Sequence, residues 1–406
     1  MTATHAAGRK LKDAIFDANQ ACNEAIKIHG ANSVTNATIG VVLDETGKLA
    51  TIPTVEKTFR AMNFSELVAY APISGLPAYL DAVIDLTFAD NKPEAQFAAI
   101  ATAGGTGAIH HAIANYAERG DAVLTSDWRW GTYDIICNET GKSLETFKLF
   151  DDALNFNIAD FAVKVDALLN EQKSLLVIIN SPAHNPTGYA LSSEECDKVL
   201  DVHKAQFSAC KKISLLVDVA YLDFAGEKNS VRAFMKKFSV LPENFFVMIA
   251  FSMSKSYTFY GQRTGALIGV STSAKVIDEF KDVGKYSSRA CWSNINRGAQ
   301  ALLVKLADDA ENFATYEAER DALYQMVKRR ADVFVTEAEA CGLRIVPYKG
   351  GFFIAIPSDN PAEVCQKLHK DLVFAVPLKL GIRVAACSTS FEKMHGLAEK
   401  ILRAMK

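Results

Sequence analysis

No apolar stretch in these 406 residues approaches the roughly 18 needed to cross a bilayer, so a helical membrane protein is not expected. The amino terminus, Met1 to Lys10, lacks the apolar core of a secretory signal, and a cytoplasmic location is expected. Cys-x-x-Cys spacing is missing. The eight cysteines, at 22, 137, 196, 210, 291, 341, 365 and 387, are scattered, and they read as free thiols in a reducing compartment, not a disulfide frame or a zinc site. Charge of one sign is also missing. With 44 basic and 47 acidic residues and a net charge of −3, there is no basic stripe for nucleic acid and no charged tail. Neither internal repeats nor low-complexity linkers occur. What remains is a chain that is 49% hydrophobic, ample for a core, and long enough for two or three domains or one large α/β domain with an appendage.

Residues 11–29 have the pattern of an amphipathic helix. Between about 100 and 270, short apolar runs alternate with helix-length segments. The strand candidates are 122–125, 175–179, 213–217, 246–250 and 266–270. This alternation predicts a mainly parallel sheet with helices on both faces. A long helical stretch is expected over about 295–340, followed by a small unit containing Gly350-Gly-Phe-Phe-Ile-Ala-Ile356 and Leu380-Gly-Ile-Arg-Val-Ala385. The expected fold class is α/β: a three-layer large domain over 51–320, with a smaller α+β domain built from both termini, residues 1–50 and 321–406.

Most of the polar motifs fall at the C-terminal ends of the apolar runs, where open α/β sheets place ligands. Lys255 follows Phe245-Phe-Val-Met-Ile-Ala-Phe251, between the hydroxyls of Ser252 and Ser254 and the cation Arg263. An amine beside phosphate-type donors at the end of a buried strand suits a covalently held, phosphorylated aldehyde cofactor. A solvated loop lysine is the plainer reading. Asp218 closes Leu215-Leu-Val-Asp218 and needs a facing cation or strong donor; otherwise it caps the next turn. Tyr221 can reach the same ligand or simply pack in the core. Asn185 lies in Asn180-Ser-Pro-Ala-His-Asn-Pro-Thr-Gly188, whose Asn-Pro and Thr-Gly pairs make tight turns by themselves. Gly104-Gly-Thr-Gly107 opens a helix in which Ile109 and Ile113 face the core, and its free N–H groups plus Thr106 form an anion site. It matches neither a Walker A loop nor the full dinucleotide glycine pattern. Metal binding is not expected, because His110 and His111 are adjacent on a helix and should point apart.

Taken in order, these segments resemble the class I aminotransferases of the pyridoxal-phosphate fold type I superfamily, most closely the aspartate aminotransferase group. The carrying residues are Ile39-Gly-Val-Val-Leu-Asp-Glu-Thr-Gly47, Tyr70-Ala-Pro-Ile-Ser-Gly75, Gly104–Gly107, Trp130, Asn185–Gly188, Asp218–Tyr221, Ser252–Lys255, Arg263 and the Gly381-Ile-Arg383 segment. The resemblance implies pyridoxal 5'-phosphate held by Lys255 as a Schiff base, with Lys255 then moving a proton as general base and acid. It implies that Asp218 pairs with the pyridinium nitrogen, and that Tyr221 and Asn185 bond the ring's phenolic oxygen. Gly105, Thr106, Ser252 and Arg263 would bind the phosphate, with Tyr70 contributed from a neighbouring subunit of a homodimer, and Trp130 would stack on the ring. Arg383 would clamp the substrate α-carboxylate through two prongs, with Gly40 nearby and Asn185 and Trp130 also lining the substrate. Arg289 would cross the dimer interface to bind a distal carboxylate; a surface arginine beside Lys285 is its plainer reading.

The chain departs from the family pattern at three places. Tyr133 and Asn180 stand where supporting histidines are usual, and Trp292 replaces a more usual tyrosine near Arg289, which favours tolerance of aromatic side chains. The expected activity is transfer of an amino group between an L-amino acid, aspartate or glutamate foremost, and a 2-oxo acid by a ping-pong route. Aromatic amino acids are the alternative donors. A β-lyase or decarboxylase on the same scaffold, and a cofactor-responsive regulator, are the other classes considered; the regulator is disfavoured because no appended DNA-binding module is expected.

Overall fold

The apolar runs 175–179 and 213–217 become completely buried strands in the computed structural model, which describes residues 1–204, 211–239 and 241–406. Among these residues the strands, in chain order, are β1 (Thr35–Asn36), β2 (Gln96–Ala103), β3 (Ala122–Ser126), β4 (Ser143–Phe147), β5 (Ser174–Asn180), β6 (Lys212–Asp218), β7 (Phe245–Ser252), β8 (Thr264–Ser271), β9 (Phe353–Pro357), β10 (Val373–Phe374), β11 (Val376–Leu378) and β12 (Gly381–Ala385). Contacts divide the chain into two compact units. One comprises residues 50–328 and 347–352, the other residues 1–49, 329–346 and 353–406.

The larger unit holds a seven-stranded sheet in the order β2-β8-β7-β6-β5-β3-β4. Pairs β3–β4, β3–β5, β5–β6 and β6–β7 are parallel, while β8 is antiparallel to both β7 and β2. The direction of β8 follows from its connection: Met253–Arg263 is too short for the crossover that a parallel neighbour requires. Sequence periodicity anticipated five of the seven strands. It missed β2, where Gln96-Phe-Ala-Ala99 is a weak start, and β4, whose Ser143 and Glu145 are exposed at an edge.

Because β2 and β8 run oppositely, the end of β2 and the start of β8 lie at the same sheet edge as the ends of β3, β5, β6 and β7. The register makes this concrete: Asn180 pairs with Asp218, Asp218 with Ala250, Ser252 with Gly265, and Ala103 with Thr264. Helix Gly104–Tyr116 buries Ile109 and Ile113 in the core with Ile178, Leu216 and Met248. The long helical stretch expected near 295–340 is two helices, Arg297–Ala307 and Ala310–Cys341. Asp309 interrupts them, its carboxylate accepting from the Asn312 N–H at 3.0 Å and so capping the second helix.

In the smaller unit β9, β11 and β12 form an antiparallel sheet in the order β11-β12-β9, and β1 pairs with β10 in parallel. Helix Ala14–His29 starts where the Asp13 side chain accepts from the Ile15 and Phe16 N–H groups, and it ends at Gly30, whose φ of 80° suits glycine. Its Cys22 packs against Val34 and Phe374. Seven of the cysteines are free thiols, as expected from their scatter; Cys210 lies outside the described residues.

Candidate active site

Strands β5, β6 and β7 end on polar residues, Asn180, Asp218 and Ser252. Asp218 is 5% exposed at the end of β6. Its Oδ2 accepts from the Tyr133 hydroxyl at 2.7 Å, and its Oδ1 from the Ala220 N–H at 3.1 Å. Burial raises its pKa above the ordinary carboxylate value; the Tyr133 hydroxyl, the Ala220 N–H and the charge of Lys255 only partly oppose that. Asn180, at the end of β5, donates to the Asp218 carbonyl at 2.7 Å and accepts from the Asn185 N–H at 2.7 Å. One amide therefore ties the Asn185 turn to Asp218. His184 and Thr187, joined at 2.7 Å, brace that turn from inside, and burial lowers the His184 pKa to about 3.

Lys255 stands in the single turn Met253–Ser256 after β7, where the Ser252 hydroxyl accepts from the Ser254 N–H and caps the turn. Its Nζ lies 5.7 Å from the Tyr221 ring centre and 4.9 Å from that of Tyr260. Tyr221 packs edge-on to Phe352 at 5.1 Å. Arg263 enters β8 with a left-handed backbone, φ 49°, uncommon for a non-glycine residue and a mark of constrained geometry. Its Nη1 donates to the Ser254 hydroxyl at 3.2 Å and to the Tyr260 carbonyl at 3.0 Å.

The glycine turn fits an anion for a measurable reason. A Cβ on Gly104 would lie 2.8 Å from Arg263 Nη2, and one on Gly105 3.3 Å from Ser252 Cβ. Side chains are thus excluded from a cradle formed by helix-opening N–H groups, a hydroxyl and a guanidinium, the donor set that a phosphate monoester needs. With a buried carboxylate and a lysine at the same sheet edge, these residues fit pyridoxal 5'-phosphate.

Trp130 meets Tyr133 edge-on at 5.6 Å and so borders the Asp218 side of this cluster. Tyr70 is 87% exposed, and its carbonyl accepts from Arg297 at 3.3 Å. Arg289 is exposed and donates to the Ser293 hydroxyl at 2.6 Å. The neighbouring Trp292 stacks on His111 at 4.4 Å and 18°. His110 and His111 do not point fully apart as expected: one ligand atom of each lies within 4.8 Å of the other and of Cys291 Sγ. His111 Nε2 meets the Ser288 hydroxyl at 3.2 Å, and His110 Nε2 lies 3.4 Å from Glu139.

In the smaller unit Arg383 is buried in β12, its Nη2 donating to the Thr38 carbonyl at 2.6 Å and its guanidinium lying 4.1 Å from the Phe353 ring centre. The same ring stands 2.9 Å from where a Cβ on Gly40 would be, so Phe353 holds Gly40 and Arg383 to one surface. Sequence reasoning did not single out Phe353 or Tyr260. Phe353 sits in the quoted segment Gly350–Ile356 and Tyr260 between Lys255 and Arg263, but a ring among apolar or aromatic neighbours carries no signal of its own.

Residues 32–401 match the family described as aminotransferase class I and II. The chain belongs to that family. It is a pyridoxal-phosphate-dependent aminotransferase of α/β fold. The chain is 28% identical to an aspartate aminotransferase of Escherichia coli K12 over 76% of its own length and 77% of that protein's. It is 27% identical to an aromatic-amino-acid aminotransferase of the same organism, with 77% and 80% covered. An aminotransferase from Anaerococcus prevotii has the same fold with a TM-score of 0.98 at 42% identity, covering 100% of this chain and 99% of that one.

Proposed function

We propose that this aminotransferase acts on dicarboxylic amino acids, passing nitrogen between aspartate or glutamate and 2-oxoglutarate or oxaloacetate by a ping-pong route. The observation that carries this reading is the convergence of Lys255, Asp218 and the Gly104–Arg263 cradle on one sheet edge. Bound pyridoxal phosphate supplies an electron sink for charge developing at the substrate Cα. Lys255 would anchor the cofactor and be the amine that takes the proton from the substrate Cα. Asp218 would face the ring nitrogen and favour its protonated form, and Tyr221 and Asn185 would hydrogen-bond the ring oxygen. Gly105, Thr106, Ser252 and Arg263 would bind the phosphate, and Trp130 would line the ring's site. Arg383 takes the substrate α-carboxylate, since a planar guanidinium matches a carboxylate in two bonds.

The exposed Tyr70 and Arg289 are assigned to a second copy of the chain, Tyr70 to its phosphate and Arg289 to its distal carboxylate. The reading is accordingly a homodimer, working in the cytoplasm; among the described residues no helix is long and apolar enough to cross a membrane. Aromatic donors are the second reading, favoured by the flat Trp292–His111 stack beside Arg289. Lys255→Ala is expected to abolish turnover and the cofactor's visible absorbance. Retained activity would refute the assignment. Following the absorbance while titrating aspartate, glutamate, phenylalanine and tyrosine ranks the donors, and full conversion to the amine form excludes a β-lyase.

A further inference from the structure

We infer that Tyr133 is the positioning residue that keeps Asp218 ionised, and that it does so without titrating. Resting on the function proposed above, this assigns the cofactor's ring-nitrogen partner a neutral support instead of an ionisable one. Three observations carry it. The Tyr133 hydroxyl donates to Asp218 Oδ2 at 2.7 Å, and both residues are buried, at 1% and 5% exposure. Tyr133 belongs to helix Thr132–Glu139, whose Ile136 and Cys137 are packed in the core with it, so the phenol cannot swing away. The other groups at Asp218 are also neutral, the Ala220 N–H and the Asn180 amide on the Asp218 carbonyl, apart from Lys255 across the site.

A fully buried carboxylate takes up a proton unless donors hold its charge. Tyr133 supplies such a donor. Burial, then the facing Asp218 and Tyr221, hold its own ionisation well above the ordinary tyrosine value, so it stays a donor throughout the working pH range. A histidine here would be ionisable, and any change in its charge would change the acidity of Asp218 with it. Tyrosine removes that dependence.

The test is Tyr133→Phe, which deletes the donor and keeps the ring. Pyridoxal 5'-phosphate affinity, measured by equilibrium dialysis across a pH series, should fall about 10- to 100-fold, the span for a hydrogen bond to a charged group. The loss should be largest at the acid end and shrink as the pH rises. In the cofactor-free protein a higher Asp218 pKa means that the folded state of Y133F holds a proton wild type has lost. Its stability deficit against wild type should therefore widen with rising pH and then level off. A merely structural tyrosine gives losses of affinity and stability that are constant with pH, and that result overturns the inference. Tyr133→His, which restores a donor, should recover part of the affinity; equal losses in both variants at every pH overturn it as well. If wild type takes up no cofactor on Lys255, it is the proposed function that fails, and the stability series still decides the role of Tyr133.

Discussion

Asp218 and Asp223 are two buried carboxylates on one short segment, and their environments drive them in opposite directions. Asp223 sits against two guanidiniums: Arg232 Nη2 at 2.5 Å and Arg320 Nη1 at 3.6 Å. Burial pushes its pKa up, but Arg320, Arg232 and the Ser256 hydroxyl overcome that and hold it far below the usual range. Asp218 faces a phenol, a peptide N–H and a more distant lysine, and its pKa stays raised. The first site is complete within the chain. The second leaves a carboxylate whose desolvation is not offset, which is where a cationic ligand gains most.

The sharpest way to break this comparison is to neutralise each carboxylate in turn. Asp218→Asn keeps an acceptor for Tyr133 and Ala220 and should change stability by less than about 1 kcal/mol. Turnover should drop by at least about a hundred-fold, the scale of losing one preorganised electrostatic partner. Steady-state kinetics beside denaturant unfolding decide it; a variant equally active and much less stable reverses the assignment. Asp223→Asn should do the opposite. It leaves buried Arg232 without its carboxylate and Arg320 with Glu317 alone, at 3.7 Å, at a cost of about 3–5 kcal/mol in unfolding free energy, while the cofactor-loaded fraction keeps its kcat.

The contrast also marks what a sequence can disclose. Asp218 was legible because a carboxylate ending Leu215-Leu-Val217 is expensive, Lys255 because it follows a buried strand, and the glycine turn because it opens a helix. Asp223, one turn later in Tyr221-Leu-Asp-Phe224, looked like an ordinary loop acid; its partners Arg232 and Arg320 are distant in sequence and carry no motif. Tyr133 was noticed only as a departure from the family pattern, since nothing local says that its hydroxyl reaches a strand many residues away. The parallel core of the sheet was readable from apolar runs. Strands β2 and β4 and the reversed direction of β8 were not, because an edge position and a connection length decide them, not composition.

Acid adds a third kind of buried titrating group to the comparison. Burial lowers the pKa of His203 to about 4, against a minor opposing bond to the Val199 carbonyl, and lowers that of His111 to about 4. A depressed folded-state value means the unfolded chain binds the proton first. Stability is therefore complete above about pH 6.5 and is lost progressively as the pH falls toward 4. For His203 alone the loss amounts to about 3 kcal/mol. His203→Gln, which keeps a donor for the Val199 carbonyl, should flatten that part of the profile in urea unfolding followed between pH 7 and about 4. An unchanged slope removes His203 from the acid response.

Arg289 supplies the smallest expected effect and the counterpart to Arg232 and Arg320. Those two guanidiniums meet a carboxylate inside their own chain, whereas Arg289 is exposed and its guanidinium donates to the hydroxyl of Ser293 at 2.6 Å. A hydroxyl satisfies one donor and none of the charge, so the two-pronged face of the guanidinium keeps its capacity for a substrate carboxylate. Arg289→Ala should lower kcat/KM for aspartate by about 10- to 100-fold, the range for a hydrogen-bonded charged contact. The value for phenylalanine should move little, because an apolar side chain never used that contact. Comparable losses for both donors would mean that Arg289 shapes the loop around Trp292 and Ser293 without reading the substrate, and the aromatic reading would then take precedence.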